Sequence, residues 1–327
     1  MSLGKRGEPW FDDGNIILVT DEDKTAFRLH RGVLGRHSEV FEDMFCIPQP
    51  VSHGTDIYDG CQVVCVYDLP SEFSTLITAL YDGATFHNRN FDDFLNLVSI
   101  LRLSTKYFIA HLRIQAIRFL AETWSYTLHG HDAMVARALT SPVANNTTYP
   151  YVHPLHILNL AREVNIQIVV PSALYFLSLY PLIDLLRADH PKLQSNHPST
   201  PSSVLDSADI KDYTLMFQHR MNITLDFVRR FFDKRPALCK CPTTTICIRG
   251  FSKLSSRLSR SWVLRTGPLH FMVQAIQVLR EEPIVCQQCR VDFERDVNTL
   301  REAIWKDLPT VVGLAGWDQL EAVDLSS

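Results

Sequence analysis

Apolar positions in the first third of the chain change period several times, and each change marks an element. Ile16-Ile17-Leu18-Val19 is a mostly β-branched run between Gly14-Asn15 and Asp21-Glu22-Asp23, the setting of a buried strand that ends in a charged turn. Phe27 and Leu29 alternate with Arg28 and His30, the period of a half-buried strand, so the two runs predict a hairpin. Ser38 offers a hydroxyl for a helix N-cap, after which Val40, Phe41, Met44 and Phe45 share one helical face. Val63 to Tyr67 does not alternate and predicts a third, fully buried strand.

Helical spacing then takes over. Pro70 presets the first turn of a helix, Phe73, Leu76, Ile77 and Leu80 form its stripe, and Gly83 ends it. Asn90 caps the next, with Phe91, Phe94, Leu95, Val98 and Leu101 on one side. A further helix from about Phe108 to Trp124 turns Ile109, Leu112, Ala116, Phe119 and Leu120 inward. The pattern predicts a small mixed sheet packed on paired helices, an α+β fold.

Two motifs in this order carry a resemblance. Phe27-x-Leu29-His30-x-x-x-Leu34 leads into Ser38-x-x-Phe41-x-x-Met44-Phe45, and Phe73-x-x-Leu76-x-x-x-Leu80-Tyr81-x-Gly83 follows. Residues 10–126 resemble the BTB/POZ domain, a protein-interaction fold, and Trp10 to Val19 is similar to the start of the many BTB proteins of mushroom-forming fungi. The resemblance implies association with a second copy or another BTB protein. In some relatives it implies docking to a cullin scaffold as a substrate adaptor for ubiquitin ligation. Leu69, Glu72 and Phe73, at the start of the helix after the third strand, match the residue types that such docking uses, with shifted spacing.

Beyond the turn-rich stretch from Thr140 to Pro150, the remainder predicts helices. Residues 127–189 form a helical extension, in which Pro154 opens a helix with Leu155, Leu158, Ala161 and Ile166, and Pro171 opens another with Leu174, Tyr175 and Leu177. Residues 190–209 turn to Pro, Ser, Asn and Thr and read as a linker or mobile loop. A helical region over 210–327 follows, with Met216, Ile223, Phe227 and Phe231 as core positions.

That last region holds the candidate chemistry. Cys241 and Cys247 precede a Cys-x-x-Cys pair, Cys286 and Cys289, and two such pairs suit a tetrahedral, structural zinc ion with no open coordination position. Cys239 competes with Cys241 for the first place, and the alternative is four separate thiols behaving as small hydrophobes. The same spacing is similar to a cysteine pattern in the fungal BTB proteins. Between Lys234 and Arg280 stand nine Lys or Arg residues and no acid. Arg249, Lys253, Arg257, Arg260 and Arg265 could face nucleic acid or an acidic partner, or be a solvated helical face.

Catalysis finds no support. There is no Gly-rich phosphate loop, nucleophile elbow or His-Glu-x-x-His helix. His129-Gly130-His131-Asp132 reads as a polar loop, Asp92-Asp93 as acids of a first helical turn, and His30 as a structural residue. Composition agrees with an ordinary globular chain: 327 residues, 46% hydrophobic and 21% charged. A formal charge of -4 gives no general pull toward nucleic acid or acidic membranes. No apolar run reaches membrane-spanning length, the first residues lack a signal peptide's apolar region, and Ser2 stands where myristoylation needs glycine. A cytoplasmic or nuclear place is expected, where the cysteines stay reduced and the Asn145-Asn146-Thr147-Thr148 sequons are plain loop residues. Two functions remain: an interaction module with a cullin-adaptor role, or a nuclear assembly protein whose basic C-terminal part contacts nucleic acid or an acidic partner.

Overall fold

The computed structural model describes residues 4–20, 23–47, 57–143, 148–233, 241, 243–261 and 267–326, with the backbone alone for 232, 233, 255 and 258–261. Strands β1 (Ile16–Thr20) and β2 (Ala26–Leu29) form the expected hairpin, with Leu18 opposite Phe27. A two-residue strand β3 (Ile57–Tyr58) precedes β4 (Cys61–Val66), which runs parallel to β1 and gives the order β2-β1-β4-β3. β1 is central and wholly buried: Ile16 and Leu18 face the main core, while Ile17 and Val19 join Ala26 and Cys61 beneath Trp10. Outside this sheet, Lys5 and Gly7 exchange backbone hydrogen bonds with Ala26 along the free side of β2.

β4 departs from its reading. Val63 and Val64 are half-buried, Cys65 and Tyr67 are exposed, and only β3 flanks the outer edge. An unbroken apolar run signals cover on both faces, and here, among the described residues, the second face has little beyond Trp10 to cover it.

The helices of this unit follow the polar punctuation. α1 (Arg31–His37), which the pattern did not announce, stops at Ser38. Ser38 caps α2 (Glu39–Cys46) by accepting from the Phe41 amide, and its hydroxyl donates to the Tyr107 carbonyl at 2.6 Å. Pro70 opens α3 (Pro70–Asp82), and Gly83 ends it at φ 89°, in the left-handed region that suits glycine. Asn90 caps α4 (Phe91–Lys106), with Asp92 and Asp93 in its first turn. α5 (Ala110–Thr123) starts later than the spacing suggests, because Phe108 takes a left-handed turn and is exposed.

After this unit, the regular elements among the described residues are all helices. They include α6 (Leu128–Thr140), α7 (Pro154–Glu163), α8 (Val170–Leu177), α9 (Leu182–Arg187), α10 (Ser207–Val228), α11 (Thr244–Ser261), α12 (Gly267–Arg280), α13 (Gln287–Asp307) and α14 (Trp317–Leu325). Met216, Ile223, Phe227 and Phe231 are buried, as the spacing requires. His129 to Asp132 corrects its reading: it is the first turn of α6, capped by Thr127, rather than a loop. Three turn-like polar residues hid an inward-facing His131, which packs against Tyr175, Phe176 and Trp305.

Residues 190–209 hold a short 3-10 turn at Pro191–Leu193 and are otherwise irregular up to α10, but they are not a loose tether. Leu193, Ser199 and Leu205 are buried. Asn159 donates to the carbonyls of Ser202 and Val204, and Arg102 donates to that of Ser199 at 2.9 Å. A polar composition signals exposure of side chains. It does not reveal that the backbone is held as a strap across α7 and α4.

Arg102 is the joint between the two units. From α4 it reaches Glu72 of α3 at 2.8 Å and, with two nitrogens, Glu163 of α7 at 2.7 and 2.9 Å. Glu72 is almost wholly enclosed, with its side chain 6% exposed, whereas that of Glu163 is 45% exposed. Removing the cation strands a buried carboxylate, so Arg102→Met should cost about 3 kcal/mol or more. Glu163→Gln should cost less than about 1 kcal/mol, because Glu163 is half-exposed and its replacement strands no buried charge. Urea unfolding of the two variants checks the order.

A second expectation concerns acid. Burial, and then the neighbouring basic side chains, push the His131 and His153 imidazoles down to about 3 and about 2. The unfolded chain binds those protons near the ordinary value of about 6.5. Stability is therefore intact above that pH and falls below it, by up to about 1.4 kcal/mol per pH unit for each histidine. His131 has no hydrogen-bond partner for either ring nitrogen among the described residues. His131→Phe should keep the aromatic packing and reduce the slope of urea midpoint against pH between 6 and 4.

Candidate functional site

Two places concentrate the residues that the sequence singles out. The first is the start of α3. Leu69 is its N-cap and is half-buried, while Tyr67 beside it is 76% exposed. Phe73 is fully buried and lies edge-on to Phe27, and Glu72 is spent on Arg102. The three residues are therefore not one surface: Leu69 borders solvent, while Glu72 and Phe73 are inward members of the core. Asp68 is likewise engaged, accepting from Lys106 at 2.6 Å and from the Tyr107 hydroxyl. Burial, with the Asp68 carboxylate second, raises the Tyr107 phenol well above its usual range.

The second place is a cage of four thiols. Cys241 lies just ahead of α11, and Cys247 sits near its N-terminal end. Cys286 is the N-cap of α13 and Cys289 lies in its first turn, so the Cys-x-x-Cys pair is presented by a helix start. The Cys241 sulfur is 3.5 Å from that of Cys247 and 3.8 Å from that of Cys286, and all four lie within 4.8 Å of one another. Four sulfurs about 2.3 Å from a central zinc stand roughly 3.8 Å apart, so the cage has the size of a tetrahedral metal site. Cys247 and Cys289 are buried, and Cys241 and Cys286 are half-exposed.

Local polarity favours thiolates there. The Cys286 amide donates to the Cys247 sulfur at 3.3 Å, and the Thr243 hydroxyl lies 3.5 Å from the same atom. Burial raises the Cys241 thiol, but the Thr243 amide and the neighbouring thiols outweigh it and bring the group down to about 7. Cys289 goes the other way: burial, then its bonds to Cys241 and Cys286, push it up. The α13 N-terminus adds partial positive charge beside the Cys286–Cys289 pair. Soft sulfur ligands in this number fit zinc, and a full set of four leaves no position for water or substrate. Cys239, the rival ligand, lies outside the described residues, as does Arg265.

The other candidates settle into structural places. The His30 ring lies 3.1 Å from the Tyr81 hydroxyl and 3.3 Å from an Asp13 carboxylate oxygen, at the start of α1. Asp93 takes a two-nitrogen grip from Arg89, whose hydrogen bond lowers its pKa. His129 and His131 do not converge on a metal-binding group with Asp132, which pairs with Arg301. Arg249, Lys253 and Arg257 stand on α11, the helix that also carries Cys247.

Sequence reasoning missed two residues of consequence. Arg102 was passed over because a single arginine in a helical stripe announces nothing. Glu282, whose carboxylate lies 3.5 Å from Lys253 and 3.6 Å from Arg257, did carry a signal. It belongs to Glu281-Glu282, the first acids after the long acid-free stretch.

Comparison with known proteins agrees with the first unit. The family model of the BTB/POZ domain matches residues 13–123. The chain thus carries a BTB/POZ domain at its N-terminal end, with a mainly helical region after it. A search of curated proteins found no match. Among the described residues, no helix is long and apolar enough to cross a membrane.

Proposed function

We propose that the chain is an assembly protein that works by binding other proteins. Its BTB/POZ domain pairs with a second copy or with another BTB protein, and its helical region holds or supports a recruited partner. The observation that carries this reading is the BTB/POZ match over residues 13–123 on a sheet and helix set of that architecture. BTB domains mediate homomeric or heteromeric association. The finer reading is a substrate adaptor for a cullin-based ubiquitin ligase of a fungal type, acting in the cytoplasm or nucleus. Support for the cullin step is local: Leu69 and exposed Tyr67 flank the start of α3, where such docking is expected. Chemistry would then reside in the recruited enzymes, and this chain would supply proximity.

The cysteine cage belongs to the same proposal as a structural zinc centre, held by Cys241, Cys247, Cys286 and Cys289. Its support is the mutual spacing of the four sulfurs, within 4.8 Å. A second reading, a nuclear assembly or regulatory protein whose basic part touches nucleic acid or an acidic partner, draws on the exposed cations of α11.

Sedimentation of the full chain should give a concentration-dependent dimer, and affinity purification from the native cell should recover a cullin at near-stoichiometric level. A strict monomer with no BTB protein and no cullin bound would sink the assembly reading. Elemental analysis should find about one zinc per chain, and Cys286→Ser with Cys289→Ser should remove it. Zinc should also slow alkylation of Cys241 and Cys286 while leaving the exposed Cys46 and Cys65 reactive. Metal-free protein with rapidly alkylated Cys241 would end the zinc reading.

A further inference from the structure

We propose that the loaded cage seats α11 as a docking strip for an acidic polypeptide. The proposal rests on the zinc reading above and adds a surface and a partner to it. α11 is strongly two-sided. Cys247, Phe251 and Leu254 are buried on its inner side. Ile246, Arg249, Lys253 and Arg257 fall at i, i+3, i+7 and i+11, one stripe along the flank beside that face. Ile246 is 49% exposed, and the side chains of Lys253 and Arg257 are 55% and 49% exposed. At about 1.5 Å per residue the strip is roughly 17 Å long, the reach of three helical turns in a partner.

Its charge is unbalanced. Among the described residues the strip has one counter-ion, Glu282, whose side chain is 4% exposed beneath Lys253 and Arg257. Three cations over one buried carboxylate leave net positive charge facing solvent on a chain of formal charge -4.

The position of the strip is set from below at three places. The cage grips the N-terminal end of α11. Glu282 holds its middle. Between them, a Cβ at Gly250 would stand 2.4 Å from a Val285 methyl, so the helix backbone lies directly on the turn that leads into Cys286. Sulfur contacts without a metal are weak, whereas metal-sulfur bonds fix α11 to the start of α13.

An acidic polypeptide fits better than nucleic acid. An isoleucine stands in line with the cations, and no aromatic face lies on the strip for base stacking. The occupant is an acidic segment with an apolar residue for Ile246.

The test uses full-length protein whose zinc content is measured. Two fluorescein-labelled probes of equal net charge are compared by anisotropy: a helical peptide of Glu and Leu, and a single-stranded DNA. The expected result is salt-sensitive binding of the peptide in preference to DNA, weakened roughly tenfold by Arg249→Glu, which touches neither the cage nor Glu282. Gly250→Val should weaken zinc retention and peptide binding together, because it forces α11 off Val285, the residue before Cys286. Chelation should abolish peptide binding. Zinc-containing protein that binds the peptide equally well after chelation, or after Arg249→Glu, overturns the strip and leaves the zinc reading standing. Preference for DNA overturns the choice of partner. Absence of zinc from the wild type overturns the zinc reading, and this inference with it.

Discussion

The buried carboxylate of Glu72 is held by Arg102, and that contact ties the parts of the molecule together. A carboxylate taken out of water costs several kcal/mol unless a well-placed cation and hydrogen bonds replace its solvent. Arg102 supplies both, and its remaining nitrogens are directed to Glu163 and to the Ser199 carbonyl. One side chain therefore fixes α3 to α4 within the BTB unit, α4 to α7 across the boundary, and the irregular strap over both. Burial raises the free energy of the charged guanidinium, but the two carboxylates more than offset it and its pKa stays above the ordinary value. The boundary between interaction domain and helical region is thus an ionic joint, which makes the Pro/Ser-rich stretch part of the packed structure.

Much of this was legible in the sequence because period and punctuation agreed. Ser38, Pro70, Gly83 and Asn90 each stand where a helix begins or ends, and the apolar residues between them repeat at the right interval. The BTB resemblance came from the order of those same signals. What stayed hidden has a common cause: it depends on what packs opposite. Val63 and Val64 look like any two-faced strand until the second face proves thinly covered. His131 looks like a loop residue until Tyr175, Phe176 and Trp305 enclose it, and these come from distant parts of the chain. The strap is polar in sequence but buried through its backbone.

The cysteine cage shows the opposite balance. Spacing alone proposed the four residues and could not choose between Cys239 and Cys241. The fold brings Cys241 into contact with Cys247 and Cys286 by placing the starts of α11 and α13 together. Helix starts are suited to this task, because unpaired amides and the helix dipole both favour sulfur in its anionic form. The same arrangement keeps the cage apart from the BTB sheet, so the two candidate binding features occupy different parts of the molecule.

The N-terminal segment has a consequence for how this protein can meet another. An open sheet ordinarily invites a foreign strand at its edge, through a row of unpaired amides and carbonyls. Here Lys5 and Gly7 already use the backbone groups of Ala26 on the free side of β2. At the opposite border β3 is two residues long and pairs only with Cys61 and Gln62 of β4. The β2 margin is therefore taken up by the chain's own N-terminal segment, so a partner approaching that side is recognised through side chains on helices and turns, where specificity can be written residue by residue.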